Sequence, residues 1–220
     1  MTLVPTAPYR RGTAGARRRS EVQAAIKRAF DVTVASTLLV ALSPLLAVLA
    51  VLVRALDGPP VLFRQRRSGQ HGRSFDLCKF RTMTTGSDDP TTDAQRITRL
   101  GRVLRRTSLD ELPTLWNVVV GHMSLVGPRP LPERYLGRYD QRQRRRLQVR
   151  PGVTGLAQAT GRNLLSWEER FELDVQYVER ATLRTDLRIL LDTAKSVLRR
   201  EGVEVADTVT MPEFWGSERG

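Results

Sequence analysis

The hydrophobic pattern is uneven, and its strongest feature lies near the N-terminus. Residues 32–53 form a run of 22 positions without a charge. As a helix this run would be about 33 Å long, enough to cross a hydrocarbon core of about 30 Å. Two features argue against a simple span. Ser43 and Pro44 lie at its midpoint, where proline removes a helical hydrogen bond and crowds the preceding turn. Both flanks are basic, with Lys27 and Arg28 before the run and Arg54, Arg64, Arg66 and Arg67 after it. A span would place one of these clusters outside, against the positive-inside tendency. A helix that enters, breaks at Ser43-Pro44 and leaves on the same side satisfies both features, with Ser43 bonding a backbone carbonyl freed at the break.

The rest of the chain is patterned in shorter pieces. Gly58-Pro59-Pro60 ends the apolar element. Residues 61–68 and 74–81, separated by a turn at 69–72, predict a hairpin. Phe75, Leu77 and Lys79 lie on one face of its second strand, and the other positions do not alternate cleanly. Residues 84–92 predict a polar loop, 97–106 a short basic helix and 132–149 a helix whose Arg142, Arg144, Arg145 and Arg146 form a solvated face. Ser166 and Glu169 have capping-box spacing and open a helix with an apolar stripe at Trp167, Phe171, Val175 and Val178. Asp186 is placed to cap a last helix with Leu187, Leu190, Leu191, Ala194 and Leu198 on one face. Arg199 and Arg200 suit its last turn and Gly202 its stop.

This pattern predicts a mostly α fold with a small β-hairpin. A basic N-terminal arm over 1–21 reads as disordered. A re-entrant helix-break-helix follows over 22–57, a larger domain with amphipathic surface helices over 58–202, and a tail over 203–220 whose Phe214-Trp215 could touch membrane.

Composition narrows the partners. The 220 residues carry a net charge of +13, which calls for an anionic partner: nucleic acid, anionic lipid or a phosphorylated substrate. The single cysteine, Cys78, excludes an intrachain disulfide and reads as a small core residue. With two histidines and one cysteine, the usual zinc sites are disfavoured. A hard cation on carboxylates remains open. No glycine-rich dinucleotide fingerprint or Walker loop is present.

The densest chemistry lies in residues 107–130. Asp110 and Glu111 are adjacent. Ser108 and Glu111 have capping-box spacing, so a structural reading as first-turn acids is available. Pro113 competes with it. At the first helical position it moves the cap to Leu112 and leaves both carboxylates just outside the helix. Arg129 stands between Pro128 and Pro130, which restrict its backbone and suit a guanidinium meeting a phosphate in one geometry.

Ser108-Leu109-Asp110-Glu111-Leu112-Pro113 followed by Met123-Ser124-Leu125-Val126-Gly127-Pro128-Arg129-Pro130 resembles the bacterial sugar transferases, the monotopic phosphoglycosyl transferases. The resemblance continues through Lys79-Phe80-Arg81-Thr82-Met83, Arg150-Pro151-Gly152-Val153-Thr154-Gly155, Gly161-Arg162-Asn163 and residues 167–174, and covers about residues 27–202. It implies transfer of a phosphosugar from a UDP-sugar to polyprenyl (undecaprenyl) phosphate, releasing UMP, as the first membrane step of exopolysaccharide or glycoconjugate assembly. The implied course is ping-pong, with Asp110 attacking the sugar-linked phosphorus and Glu111 positioning the nucleophile or a Mg2+ ion held with Asp110. Arg129 would hold phosphate, and Lys79, Arg81 and Arg105 are further candidates for nucleotide or phosphate contacts. The implied location is the cytoplasmic face of the bacterial plasma membrane, against anionic lipids of the inner leaflet, with no nucleic-acid partner; a homodimer is compatible with it. Arg66, Gly121-His122, Leu156 and Ala159-Thr160 depart from the family pattern and leave the sugar open. A membrane-tethered nucleic-acid binder or a scaffold is the alternative. The first rests on arginine content alone, and the second would tolerate loss of Asp110.

Overall fold

A computed structural model describes residues 14–84, 93–161, 165–198 and 213–216. The apolar run forms two helices, α1 (Ala14–Ala41) and α2 (Ser43–Leu56), bent by 62° at Leu42. Pro44 sits in the first turn of α2, where its missing N–H costs nothing. The Ser43 hydroxyl donates to the Val40 carbonyl at 2.8 Å, as the break requires. Among the described residues no single helix is long and apolar enough to cross a membrane; the bent pair meets that criterion only as a unit. α1 begins inside the stretch expected to be an arm, where alanine and arginine are strong helix formers.

Behind the break the chain builds the expected hairpin. β1 (Leu62–Ser68) pairs antiparallel with β2 (Ser74–Phe80) around a 3-10 turn at Gln70–Gly72. Short helices α3 (Asp93–Arg96) and α4 (Arg99–Arg106) follow, then α5 (Thr114–Val119). A second sheet, absent from the sequence reading, pairs β3 (Ser124–Val126) in parallel with β4 (Gly152–Thr154). Three-residue strands are too short to show a period. Their close approach depends on glycine, because a Cβ on Gly152 would lie 2.1 Å from the Gly127 nitrogen. α6 (Leu156–Thr160), α7 (Trp167–Arg180) and α8 (Leu183–Leu198) complete the fold.

Several expectations are corrected. Residues 132–149 do not form a helix. They form two 3-10 turns, Glu133–Arg138 and Gln143–Gln148, with Tyr139 extended and buried between them. Gly137 disfavours a continuous helix, and Arg146 faces inward. α7 has its capping box, but Asp174 and Tyr177 are buried beside Phe171 and Val175. α8 is capped by Thr182, whose Oγ1 accepts from the Thr185 N–H, and Asp186 is interior. Ile189 is the buried apolar residue of α8, while Leu187 and Leu191 are exposed. Phe214 is 2% exposed within the aromatic cluster of Tyr135, Tyr139, Phe171 and Trp167, so only Trp215 faces outward. The readings of residues 1–13, 85–92, Arg162-Asn163, Arg199, Arg200 and 201–212 lie outside the described residues.

Two apolar clusters join the bent pair to the remainder. Ala35 of α1 packs with Phe75, Leu115, Val118, Met123, Leu125 and Ile189, and Leu49 and Val53 of α2 pack on Phe80 and Leu104. The outer residues Val40, Val48, Val51, Leu52 and Leu56 stay exposed. Polar bonds secure the same junction. Arg28 donates to the carbonyls of Val118 and Val119 at the C-terminus of α5, where a cation is favoured. Lys27 Nζ lies 2.6 Å from Asp186, and Asp31 accepts from Ser124 Oγ.

Candidate active site

The chain between α4 and α5 turns sharply. Ser108 adopts φ 56°, and Leu109–Glu111 form one 3-10 turn before Pro113 caps α5. The capping box on Ser108 does not form; the Glu111 N–H bonds the Ser108 backbone carbonyl instead, at 3.3 Å. Both carboxylates therefore lie outside α5, as Pro113 demands, with the cap one residue later than expected.

This turn presents Asp110 and Glu111 to a cleft of about 410 Å3. Arg105, Arg129 and Arg170 contribute charge to its walls. Leu38 and Leu42, from the break between α1 and α2, contribute apolar surface with Leu112 and Leu115. Asp110 is only 5% exposed, and among the described residues its carboxylate accepts no hydrogen bond. Burial, and then the charge of Glu111, push its pKa up to about 6, against the pull of Lys79, Arg105 and Arg129. Glu111 behaves oppositely. Burial disfavours its charge, but the Arg129 guanidinium, 2.8 Å away, outweighs it with help from Lys79 and Arg67 and holds Glu111 below the usual carboxylate range.

Arg129 is itself held in place. Its carbonyl accepts from Arg146 Nη2 at 2.6 Å. Arg146 also pairs with Asp174 through Nε at 2.9 Å, donates to the Tyr139 hydroxyl, and lies over the rings of Tyr139 and Phe171. A buried, fully engaged guanidinium thus anchors the backbone of the Gly-Pro-Arg-Pro turn from behind. Arg142 and Arg145 do form the solvated face expected of residues 132–149, pairing with Glu172 and Glu179.

The fold therefore assembles Asp110, Glu111, Arg105 and Arg129. Lys79 lies just behind them, on a small cavity shared with Arg67, Glu111 and Arg129. Arg81 is not brought to the site. It is buried and donates to the carbonyls of Asp57, Gly58 and Pro59, satisfying the chain where α2 ends. Sequence reasoning missed Arg67, Arg146 and the cleft-lining Gln158 and Arg170. Arg67 and Arg146 each stand among other arginines, and nothing local marks the buried ones.

A magnesium ion was expected at Asp110 and Glu111. Among the described residues no group of three or more His, Cys, Asp or Glu side chains converges, so a cage made by protein alone is absent. Two adjacent carboxylates, one of them accepting no hydrogen bond among the described residues, do fit an ion that takes its remaining ligands from water and substrate phosphates.

The profile of the family described as bacterial sugar transferase matches residues 22–200. The chain belongs to the bacterial sugar transferase family. It is 47% identical over 195 residues to the Uncharacterized sugar transferase EpsL of Bacillus subtilis, covering 87% of this chain and 96% of that protein. It is 41% identical over 197 residues to the Undecaprenyl-phosphate galactose phosphotransferase of Salmonella typhimurium, and 41% identical over 182 residues to the UDP-glucose:undecaprenyl-phosphate glucose-1-phosphate transferase of Xanthomonas campestris. These alignments cover 80% and 76% of this chain but only 41% and 38% of the two relatives.

Proposed function

We propose that this family member is a phosphoglycosyl transferase that moves a hexose 1-phosphate from a UDP-sugar to polyprenyl phosphate and releases UMP. The observation that carries the reading is a buried carboxylate, Asp110, which among the described residues accepts no hydrogen bond, in a cleft with cationic and apolar walls. A phosphorylated donor and a lipid-linked acceptor need both kinds of wall. The names of the Salmonella and Xanthomonas relatives make UDP-galactose and UDP-glucose the first donors to test.

In the first step an Asp110 oxygen attacks the phosphorus that carries the sugar. The bond to the UMP oxygen breaks, and UMP leaves with that electron pair. In the second, an oxygen of polyprenyl phosphate attacks the same phosphorus and Asp110 departs as a carboxylate. Splitting the transfer this way avoids holding two bulky anions together at once. Arg105 and Arg129 offset the charge of the diphosphate. Asp110 and Glu111 would hold magnesium, whose chemistry when bound is to neutralise phosphate charge. In this reading α1 and α2 enter the cytoplasmic leaflet with the Ser43-Pro44 break deepest. The apolar wall at Leu38 and Leu42 then faces the lipid acceptor, and the basic surplus meets anionic headgroups.

The test is intact-protein mass and UMP release with a panel of UDP-hexoses and magnesium, without acceptor. One phosphosugar should be found on Asp110, with UMP released to match, and Asp110→Asn should form neither. An adduct on Glu111, or turnover by Asp110→Asn above background, would overturn the assignment. A scaffold would show no release at all.

A further inference from the structure

The segment Glu213–Gly216 lies beyond residues 22–200 of the family match, yet it is docked against the wall of the cleft. The buried ring of Phe214 meets those of Phe171, Trp167, Tyr135 and Tyr139, with centroids 4.9, 5.6, 5.8 and 6.1 Å away. Polar bonds hold its backbone on both sides. The Phe214 N–H donates to the Tyr135 hydroxyl at 3.3 Å, and its carbonyl accepts from Arg138. Glu213 Oε1 accepts from Arg134 Nε at 3.0 Å and Arg138 Nη1 at 2.9 Å. Arg138 also lies over the Trp215 ring, 4.4 Å from its centroid. Ordering an irregular segment costs conformational entropy, which one buried aromatic anchor and its satisfied polar groups offset here.

The anchor reaches the site through its partners. Trp167 and Phe171 line the cleft. Phe171 and Tyr139 also flank Arg146, whose guanidinium lies 5.5 and 5.6 Å from their centroids, and Arg146 donates to the Arg129 carbonyl. Loss of the Phe214 ring leaves a void against both rings, and a packed core closes such a void only in part. We propose that Glu213-Phe214 is a positioning clip, which fills the space behind Tyr139, Trp167 and Phe171 and so holds Arg146 and, through it, the backbone of Arg129. Phe214 acts through Arg146 and is a positioning residue. The effect of the clip on rate rests on the phosphosugar-transfer reading, to which it adds a segment outside the family match.

The experiment compares full-length wild type, Phe214→Ala and Phe214→Leu. One arm reads amide hydrogen exchange by mass spectrometry, and the other UMP release from the UDP-hexose with polyprenyl phosphate and magnesium. In Phe214→Ala, residues 129–147 and 167–177 should exchange about tenfold faster or more, while α2 and α4, packed in a separate cluster, exchange as in wild type. Its kcat/KM should fall about tenfold, and Phe214→Leu, which refills most of the space, should recover most of both losses. Unchanged exchange in those two stretches would overturn the clip. So would acceleration spread equally over the chain, the mark of a plain contribution to global stability. A local change in exchange with kcat/KM within about twofold of wild type would overturn the positioning role. Should Phe214→Ala fail to fold, Glu213→Ala decides in its place, with a change of about threefold expected in both arms and no change overturning the clip. If the wild type releases no UMP from any UDP-hexose, the transfer reading fails by itself, and the exchange pattern alone decides the clip.

Discussion

Two adjacent carboxylates in one turn meet opposite fates. Glu111 reaches Arg129 and stays ionised, while Asp110, buried and among the described residues accepting no hydrogen bond, has its pKa raised to about 6. The raised value has a definite consequence for stability. Between about pH 4 and 6 the folded chain binds a proton that the unfolded chain has released, so stability falls as pH rises through that window. Asp110→Asn removes the penalty. In chelator, chemical denaturation should find it about 2 kcal/mol more stable than wild type at pH 7.5 and equal near pH 4. UMP release by wild type should be lost on acidification, since only the carboxylate attacks, with a midpoint below about 6 because bound magnesium favours the carboxylate. A variant no more stable than wild type at pH 7.5 would show that Asp110 is not strained by burial. Asp110, Glu111 and Arg129 were legible in the sequence because proline placed them. Arg67 and Arg146 were not, since a buried arginine and a solvated one are the same letter.

At the scale of elements, local chemistry decides where the chain breaks. Ser43-Pro44 bends the apolar run, and the Ser43 hydroxyl takes up a carbonyl left by the missing bond. Exposed positions on either side, Gln23 and Ala55, suit a topology test in a Cys78→Ala background. Single cysteines at each should both resist an impermeant reagent in intact cells, and Pro44→Ala should expose one of them by favouring a straight span. Labelling of either site with Pro44 intact would rule out the re-entrant disposition. Residues 132–149 give the contrary lesson. Their charge suggested a surface helix, but Tyr139 and Arg146 are drawn inward and the chain becomes two 3-10 turns. The pull comes from Phe171 and Asp174 on α7, a partner that no local window contains.

For the whole molecule, packing and polar bonds join the bent pair to the rest of the chain. Lys27 on α1 bonds Asp186 on α8 and lies 3.6 Å from Asp31, which accepts from Ser124 and the Leu125 N–H; Tyr177 donates to both Asp186 and the Val126 carbonyl. The network ties α1, α7 and α8 to β3, the strand that leads into the Arg129 turn. Lys27→Met leaves Asp31 and Asp186 buried without their cation and should cost about 3 kcal/mol in chemical denaturation, with Lys27→Arg losing less. A loss under about 0.5 kcal/mol would mean that the apolar clusters alone join the parts. The sequence by itself determined the apolar break, the hairpin, the capped α7 and the carboxylates outside α5, because proline geometry, residue period and capping act within a few positions. Only the tertiary structure decided that Arg81 closes α2, that Asp186 is interior, and that Arg146 and Arg67 stand behind Arg129. The bond of Lys27 to Asp186 spans 159 positions and that of Arg67 to Pro130 spans 63. Burial and counterions at such separations are properties of the packed chain, so they arise only when it folds.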